Sequence, residues 1–253
     1  RKLILLTDIA NTRTKWALAD DKRQLSSISV CLNTVIAQVN LPIKQAKKAV
    51  IANVAGAQMA QQITQLLAPL ETHFVKVSTE AYGLKNNYET TLGIDRWAAL
   101  VAVWHEHHQP SVVVNAGTAI TIDALAPSNH QSALTDKGEF LGGSIMPGLH
   151  LMRASLSNNA ALLNVDEGAW QAFPTNTSDA IQTGCLNAVI GAINLMLKRL
   201  EKQCGHPPLL VLSGGDAQVI AQALHAQILN LDTKQVIITE NLVLLGLVLL
   251  AKA

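Results

Sequence analysis

Two polar segments of this chain repeat one pattern: each follows a short apolar run, and each leads into a second strand-like run. The first is DIANTRTK at Asp8–Lys15, and the second is NAGTAIT at Asn115–Thr121. We call them the first corner and the second corner. Both open with an Asp or Asn residue and are rich in small and hydroxyl-bearing residues, which leave backbone N–H groups accessible. Such self-similarity predicts a duplicated domain, with both corners facing one central cleft.

The rest of the chain alternates between strand-like and helix-like patterns, which indicates the α/β class. In the first half, the predicted strands are 3–7, 15–19, 50–54 and 74–77, and the predicted helices are 57–67 and 94–107. In the second half, the predicted strands are 111–114, 120–125, 139–145, 209–212 and 236–239, with helices ending near 156 and spanning 177–202 and 242–251. No low-complexity linker separates the halves. We therefore place the boundary in the helix 94–107, which gives subdomains 1–105 and 106–253.

The composition argues against several classes of protein. Of the 253 residues, 49% are hydrophobic and 15% are charged, which is too apolar for intrinsic disorder. The formal net charge is +1 and no basic block is longer than two residues, such as Lys47-Lys48, so we expect no nucleic-acid-binding surface. Three cysteines without a CxxC spacing favour free thiols in a reducing compartment, the cytoplasm. The apolar runs at 3–6 and 242–251 are too short for a signal peptide or a membrane span, so we expect no membrane association.

Both corners carry the groups that bind phosphate. Their candidate donors are Asn11, Thr12, Thr14 and Lys15 in the first corner and Gly117, Thr118 and Ala119 in the second. A turn of such residues offers N–H and O–H groups to phosphate oxygens without steric bulk. The carboxylate of Asp8 could hold Mg²⁺, a cation that prefers oxygen ligands. An ordinary polar hairpin remains the alternative for either corner alone, but the presence of two favours phosphate binding.

The segment GIDR at 93–96 lies at the start of the predicted helix 94–107. One interpretation makes Asp95 a helix N-cap, stabilised by the helix dipole. The other makes it a general base on a substrate hydroxyl. The two roles are compatible, and the dipole is expected to lower the pKa of Asp95.

Two further motifs are less specific. The sequence SGGD at Ser213–Asp216 follows a predicted strand and opens a helix, so its backbone could approach a nucleotide's sugar or base. The histidines His105, His107 and His108 could suggest a metal site. Because no third ligand motif accompanies the two that share a helix face, a solvated helix end is the favoured interpretation.

Six motifs in this order resemble the type III pantothenate kinase family, which belongs to the acetate and sugar kinase/Hsc70/actin superfamily and includes relatives labelled Bvg accessory factor. The motifs are DIANTRTKWAL at 8–18, GIDRWAAL at 93–100, NAGTAITIDAL at 115–125, FLGGSIMPGLHLMRASL at 140–156, NTSDAIQTG at 176–184 and LSGGDA at 212–217. The resemblance covers nearly the whole chain. It implies an α/β fold of two duplicated ribonuclease-H-like subdomains, of the actin-type ATPase architecture, around a central cleft.

The resemblance also implies an activity and its site residues. The activity is ATP-dependent phosphorylation of pantothenate to 4'-phosphopantothenate, the first step of coenzyme A biosynthesis, by a cytoplasmic homodimer that uses Mg²⁺. The residues expected to bind ATP are Asp8, Ile9, Ala10, Asn11, Thr12, Arg13, Thr14, Lys15 and Thr118. Those expected to bind pantothenate, near the subunit interface, are Gly93, Ile94, Asp95, Arg96 and Thr177. In this scheme Asp8 holds Mg²⁺ and Asp95 is the catalytic base.

Two positions depart from the family pattern. Ala10 replaces a glycine of the first corner, a mild change if the backbone there is ordinary. Asn115 replaces an aspartate that in the family binds a monovalent cation, which puts a requirement for K⁺ or NH₄⁺ in doubt.

Two rival functions remain open. A sugar kinase of the same superfamily would share the corners, although the cysteine-rich zinc signature of one such group is absent. An accessory or regulatory protein would keep the fold without turnover. Such a scaffold would not need Asp8, Asp95, Thr118 and Thr177 together, so their presence favours catalysis.

Overall fold

The computed structural model describes residues 3–89, 91–128, 136–159, 168–227 and 235–251. These residues form two compact units, Arg1–Glu106 with Asn241–Ala253, and His107–Glu240. The strands are β1 (Leu3–Ile9), β2 (Arg13–Ala19), β3 (Ser29–Leu32), β4 (Ala46–Asn53), β5 (Glu71–Phe74), β6 (Glu80–Ala81), β7 (Leu84–Asn86), β8 (Ser111–Ala116), β9 (Ala119–Pro127), β10 (Gly138–Pro147), β11 (Leu209–Ser213) and β12 (Val236–Ile238). The helices are α1 (Ala57–Leu67), α2 (Ile94–His107), α3 (Leu149–Asn159), α4 (Thr177–Cys204), α5 (Ala217–Gln227) and α6 (Leu242–Leu250), with short 3-10 helices at Asn33–Gln38 and Ile43–Gln45.

The sheets of the two units repeat one topology. In the first unit the strand order is β3-β2-β1-β4-β5, with β1 antiparallel to β2 and parallel to β4. In the second unit five strands follow the order β10-β9-β8-β11-β12, with β8 antiparallel to β9 and parallel to β11. Each strand of one series has its counterpart in the other. The predicted duplication is therefore confirmed, with β1 and β8 as equivalent central strands.

The end of the chain departs from the expected division at 106–253. Helix α6 belongs to the first unit, where it packs against β1, β2 and β4. Helix α6 also lies very close to α2, because a Cβ at Gly246 would overlap with the carbonyl oxygen of Ala98 on α2. Burial of this wholly apolar helix stabilises the first unit, although sequence order alone assigned it to the second.

Helix α4 is the core helix of the second unit. Among the described residues it is the one helix long and apolar enough to cross a membrane by length and composition. However, its buried side chains, including Val189, Ile193 and Leu197, pack in a hydrophobic core with residues of β8, β9 and β11. The Asn176 side chain accepts a hydrogen bond from the N–H of Asp179 at its start, and Gly205, in the left-handed region, ends it.

Local patterns located most elements well. Helices α1 and α2 begin and end where the sequence predicts them. The predicted strand 74–77 instead lies at Glu71–Phe74, where it pairs with β4. Strands β3, β6 and β7 were not predicted, because they are short and mostly exposed and therefore lack an apolar pattern.

Candidate active site

The first corner is the tight turn between β1 and β2. The N–H of Ala10 donates to the carbonyl of Arg13 at 3.0 Å, and Asn11, Thr12 and Arg13 are exposed. Among the described residues, the non-glycine positions with positive φ are Arg23, Tyr82, His108 and Asn241. Ala10 is not one of them, so its backbone is ordinary and the alanine fits without strain.

Besides Asp8, two of the residues expected to bind ATP have buried side chains. Ile9 is fully buried in the core of the first unit. Thr14 is also buried, and its hydroxyl donates to the Oδ1 atom of Asn33 at 2.8 Å. The side chains of Ile9 and Thr14 are packed inside the first unit, whereas those of Asn11, Thr12 and Arg13 are exposed to solvent. Asn33 itself was not predicted from the sequence.

The Asp8 side chain is buried, and one of its two carboxylate oxygens accepts no hydrogen bond from the described residues. Only 8% of the residue is exposed, and its Oδ1 atom has no hydrogen-bond partner among the described residues. Burial, together with the nearby charge of Asp95, raises the pKa of Asp8 to about 7, and the Lys15 ammonium partly offsets this. A buried, unpartnered carboxylate oxygen fits a hard cation, whose charge would replace the missing partner. Asp8 therefore has the chemistry to hold Mg²⁺.

Lys15 lies directly opposite Asp8 in the β1–β2 pairing. Its Nζ atom donates to the Oδ1 atom of Asn241 at 3.3 Å. Asn241 adopts the left-handed conformation, with φ of 60°, immediately before α6. The residue that precedes α6 thus holds the lysine of the first corner, a contact that no local motif indicates.

The segment at 93–96 forms the first turn of α2. The Oδ1 atom of Asp95 accepts the N–H of Arg96 at 2.8 Å. The guanidinium of Arg96, which is itself buried, lies over the Tyr88 ring at 5.2 Å from its centre. A Cβ at Gly93 would lie 2.5 Å from Asp95 Oδ1, so glycine leaves the space that the carboxylate occupies.

The expected lowering of the Asp95 pKa is wrong. Burial raises the pKa of this carboxyl, and the N–H and charge of Arg96 only partly counteract the increase. The helix-terminus argument considered the local backbone alone, whereas removal from water has the larger effect here. The charges of Asp95 and Lys15 both act on Asp8, so these three groups of the first unit lie within electrostatic range of one another.

The second corner joins β8 to β9 in the second unit. Asn115 pairs with Thr121 on β9 and with Ser213 on β11. Thr118 is exposed, and its carbonyl accepts the N–H of Gly148 at 2.9 Å. The corner therefore presents the Thr118 side chain from a backbone fixed on several sides.

The SGGD segment fixes the same corner from β11. Gly214 has φ of +100°, and a Cβ there would lie 2.3 Å from the carbonyl oxygen of Ala116. Only glycine allows this approach. The N–H of Asp216 also donates to the Ala116 carbonyl at 3.2 Å. Burial raises the pKa of Asp216, and the charges of Arg153 and His150 partly offset this.

Thr177 lies in a different part of the second unit. It is the first residue of α4 and lines a largely apolar cavity of about 770 Å³ together with Pro147, Met152 and Ile181. The structure thus places Thr177 in the second unit and residues 93–96 in the first. Among the described residues, no group of three His, Cys, Asp or Glu side chains is arranged to hold a metal.

Comparison with known proteins gives the family. The family model described as type III pantothenate kinase matches residues 4–199. The type III pantothenate kinase of Methylobacillus flagellatus is 36% identical over 252 residues, which covers 96% of each chain. Among solved structures, a Baf family protein titled a transcriptional activator, from Campylobacter jejuni, is similar with a TM-score of 0.61 and 24% identity, covering 98% of this chain and 97% of that one.

A second solved structure supports the fold alone. A 2-dehydro-3-deoxygalactonokinase from Sinorhizobium meliloti is similar with a TM-score of 0.59 and 12% identity, over 98% of each chain. This agrees with the duplicated ribonuclease-H-like topology of the two sheets. With the family model matching most of its length, the chain belongs to the type III pantothenate kinase family.

Proposed function

We propose that this chain transfers the γ-phosphoryl group of ATP to the hydroxyl group of pantothenate, giving 4'-phosphopantothenate and ADP for coenzyme A biosynthesis. The observation that carries the proposal is family membership over residues 4–199, together with a relative of that name at 36% identity. The geometry of the first unit supports it, because Asp8 and Lys15 lie opposite each other at a phosphate-binding type of corner and the charge of Asp95 acts on Asp8.

The charged groups Asp8, Lys15 and Asp95 of the candidate site each have a distinct proposed role in this reaction. Asp8 would hold Mg²⁺, which when bound neutralises charge on the phosphate oxygens. Lys15, held by Asn241, offers a positive charge to the same phosphates. The exposed turn of the first corner and Thr118 of the second corner supply further donors to ATP. Electrostatic positioning of this kind provides most of the rate in phosphoryl transfer.

Asp95 is proposed as the base. The pantothenate hydroxyl oxygen attacks the γ-phosphorus, the bond from that phosphorus to the β,γ-bridging oxygen breaks, and ADP leaves with the electron pair. The hydroxyl proton passes to the Asp95 carboxylate. Burial makes this carboxylate a better proton acceptor by raising its pKa, while the N–H and charge of Arg96 favour the ionised form. Gly93, Ile94, Arg96 and Thr177 are proposed to position pantothenate.

A direct assay tests this function against its rivals. ADP release from ATP and Mg²⁺ is measured with pantothenate, with glucose and with no acceptor, and the phosphorylated product is identified by mass. Pantothenate-dependent turnover is the expected result. Turnover with glucose alone would instead support a sugar kinase, and no turnover with either acceptor would support an accessory protein.

Activity is expected to depend little on monovalent cations. Asn115 offers a carbonyl dipole where an aspartate would offer a full negative charge, and its NH₂ group can donate a hydrogen bond in place of a bridging ion. Initial rates are compared with KCl and with NaCl at equal ionic strength, and a change below about twofold is expected. A rise of about tenfold or more with K⁺ would contradict the role proposed for Asn115.

A cytoplasmic homodimer is proposed as the working form. The second unit exposes Leu151 and Leu156 on α3 and Leu195 on α4, and an apolar surface of this kind favours association. Sedimentation equilibrium at micromolar concentration is expected to give twice the 27.0 kDa of one chain. A mass near that of the single chain would contradict this.

A further inference from the structure

Asn33 is bonded to the first corner at three places. Its Nδ2 atom donates to the carbonyl of Ala10 at 2.7 Å, and its Oδ1 atom accepts the Thr14 hydroxyl at 2.8 Å. Its backbone N–H donates to the carbonyl of Thr12 at 3.0 Å. Asn33 itself begins a 3-10 helix directly after β3, so a neighbouring element fixes both sides of the turn.

These bonds set the direction of a peptide group in the turn. In a trans peptide the C=O and the following N–H point in opposite directions. Because the Ala10 carbonyl points at Asn33, the N–H of Asn11 points away from it. The carbonyls of Ala10 and Thr12 both accept hydrogen bonds from Asn33, so their negative ends are held on that side. The turn thus holds the carbonyls of Ala10 and Thr12 on one side and directs the Asn11 N–H to the other.

That arrangement is what an anion requires. A carbonyl turned towards a phosphate would repel it, whereas a fixed N–H attracts it. A turn of exposed residues such as Asn11 and Thr12 can rotate its peptide groups at little cost unless something holds them. Asn33 supplies that restraint from a half-buried position where it has no need to touch the ligand.

We propose that Asn33 is a positioning residue for ATP, which fixes the first corner so that the Asn11 N–H faces the phosphates. This rests on the proposed function of the first corner. The role differs from simple stabilisation of the hairpin, because it predicts a selective loss of affinity for one of the two substrates.

The principal test is Asn33→Ala. The expected result is a rise of about tenfold or more in KM for ATP, with KM for pantothenate changed by less than about twofold. Asn33→Asp, which has the same shape, is expected to lose ATP affinity similarly, because its second oxygen cannot donate to the Ala10 carbonyl. A residue that only fills space would tolerate this exchange.

Two further variants separate the positioning of the first corner by Asn33 from an effect on the general stability of the protein. Thr14→Val removes one of the three bonds, so we expect a smaller increase in KM for ATP, and combining it with Asn33→Ala should add little to the effect of Asn33→Ala. The matched control is Asp20→Ala at the opposite end of β2, where the Asp20 Oδ1 atom accepts the N–H groups of Lys22 and Gln24 at 2.9 Å each. This control removes a comparable turn restraint and is expected to leave both KM values unchanged.

The outcome does not depend on turnover. Binding of a non-hydrolysable ATP analogue, measured by calorimetry with Mg²⁺, gives the same comparison if the wild-type chain proves inactive on pantothenate. In that case the proposed function fails, while the positioning role of Asn33 in ATP binding is still tested. The proposal would be overturned if Asn33→Ala weakened the affinity for ATP and for pantothenate equally. It would also be overturned if Asn33→Ala changed the affinity for ATP no more than Asp20→Ala does. If Asn33→Ala does not fold, Thr14→Val decides, and unchanged ATP affinity in that variant would likewise overturn it.

Discussion

Replacement of Asp95 by asparagine is expected to lower kcat by about 10²–10⁴-fold, the usual loss on removing a general base. The amide keeps the shape of the side chain, and its oxygen can still accept the N–H of Arg96, so the first turn of α2 should persist. KM for ATP and for pantothenate should change much less than kcat. Steady-state kinetics with both substrates, together with thermal unfolding of the variant, provide the measurement.

Glu106→Gln is the matched control for this variant. It neutralises an exposed carboxylate on the same helix, at the end away from the site, and is expected to retain wild-type kinetics. If Asp95→Asn turns over within about threefold of the wild type, Asp95 only stabilises the start of the helix. The pH profile gives a second check: kcat/KM should rise with pH through an apparent pKa above the ordinary range of an aspartate, because burial raises the pKa of Asp95.

The parts of the site that the sequence predicted are those encoded locally. The first corner is a turn between two strands with clear apolar patterns, and residues 93–96 open a helix whose two ends the sequence predicts correctly. In both cases adjacent residues determine the structure. The duplication was predicted for the same reason, since both corners repeat one short pattern, whereas the strand order was not predicted.

The parts that were missed depend on residues distant in the chain. Asn33 reaches the first corner from the segment after β3, which has no apolar periodicity. Asn241 reaches Lys15 from the far end of the sequence because α6 packs in the first unit. The direction of the Asp95 pKa shift was also missed, since burial depends on how the whole unit packs. Tertiary packing, which short motifs do not encode, determines all three.

Burial of Asp8 carries a cost in stability that its proposed role in holding Mg²⁺ would explain. The pKa of this carboxyl is about 7 in the folded chain, against an ordinary value of 3.8. Between these values the folded state binds more protons than the unfolded state, so the free energy of unfolding decreases as pH rises from about 4 to about 7. Above pH 7 the folded chain retains a buried negative charge beside Asp95, and the penalty is then complete.

Asp8→Asn is therefore expected to abolish kinase activity and yet to stabilise the protein at pH 7.5. Without nucleotide or Mg²⁺, the gain should be on the order of 2–4 kcal/mol, because the amide is not charged and a shift of one pKa unit corresponds to about 1.4 kcal/mol. At pH 5 the gain should fall by more than half, since most of the stability that the wild-type chain loses with rising pH is lost between about pH 5 and pH 7. Thermal unfolding at both pH values, with Asp20→Asn as a control at a partly exposed aspartate, measures the difference. A lower melting temperature for Asp8→Asn at pH 7.5, or a gain of equal size at pH 5, would show that Asp8 is not held as a strained charge. If the prediction holds, the first corner retains an aspartate that weakens the empty fold because the cation and phosphates of the reaction require it.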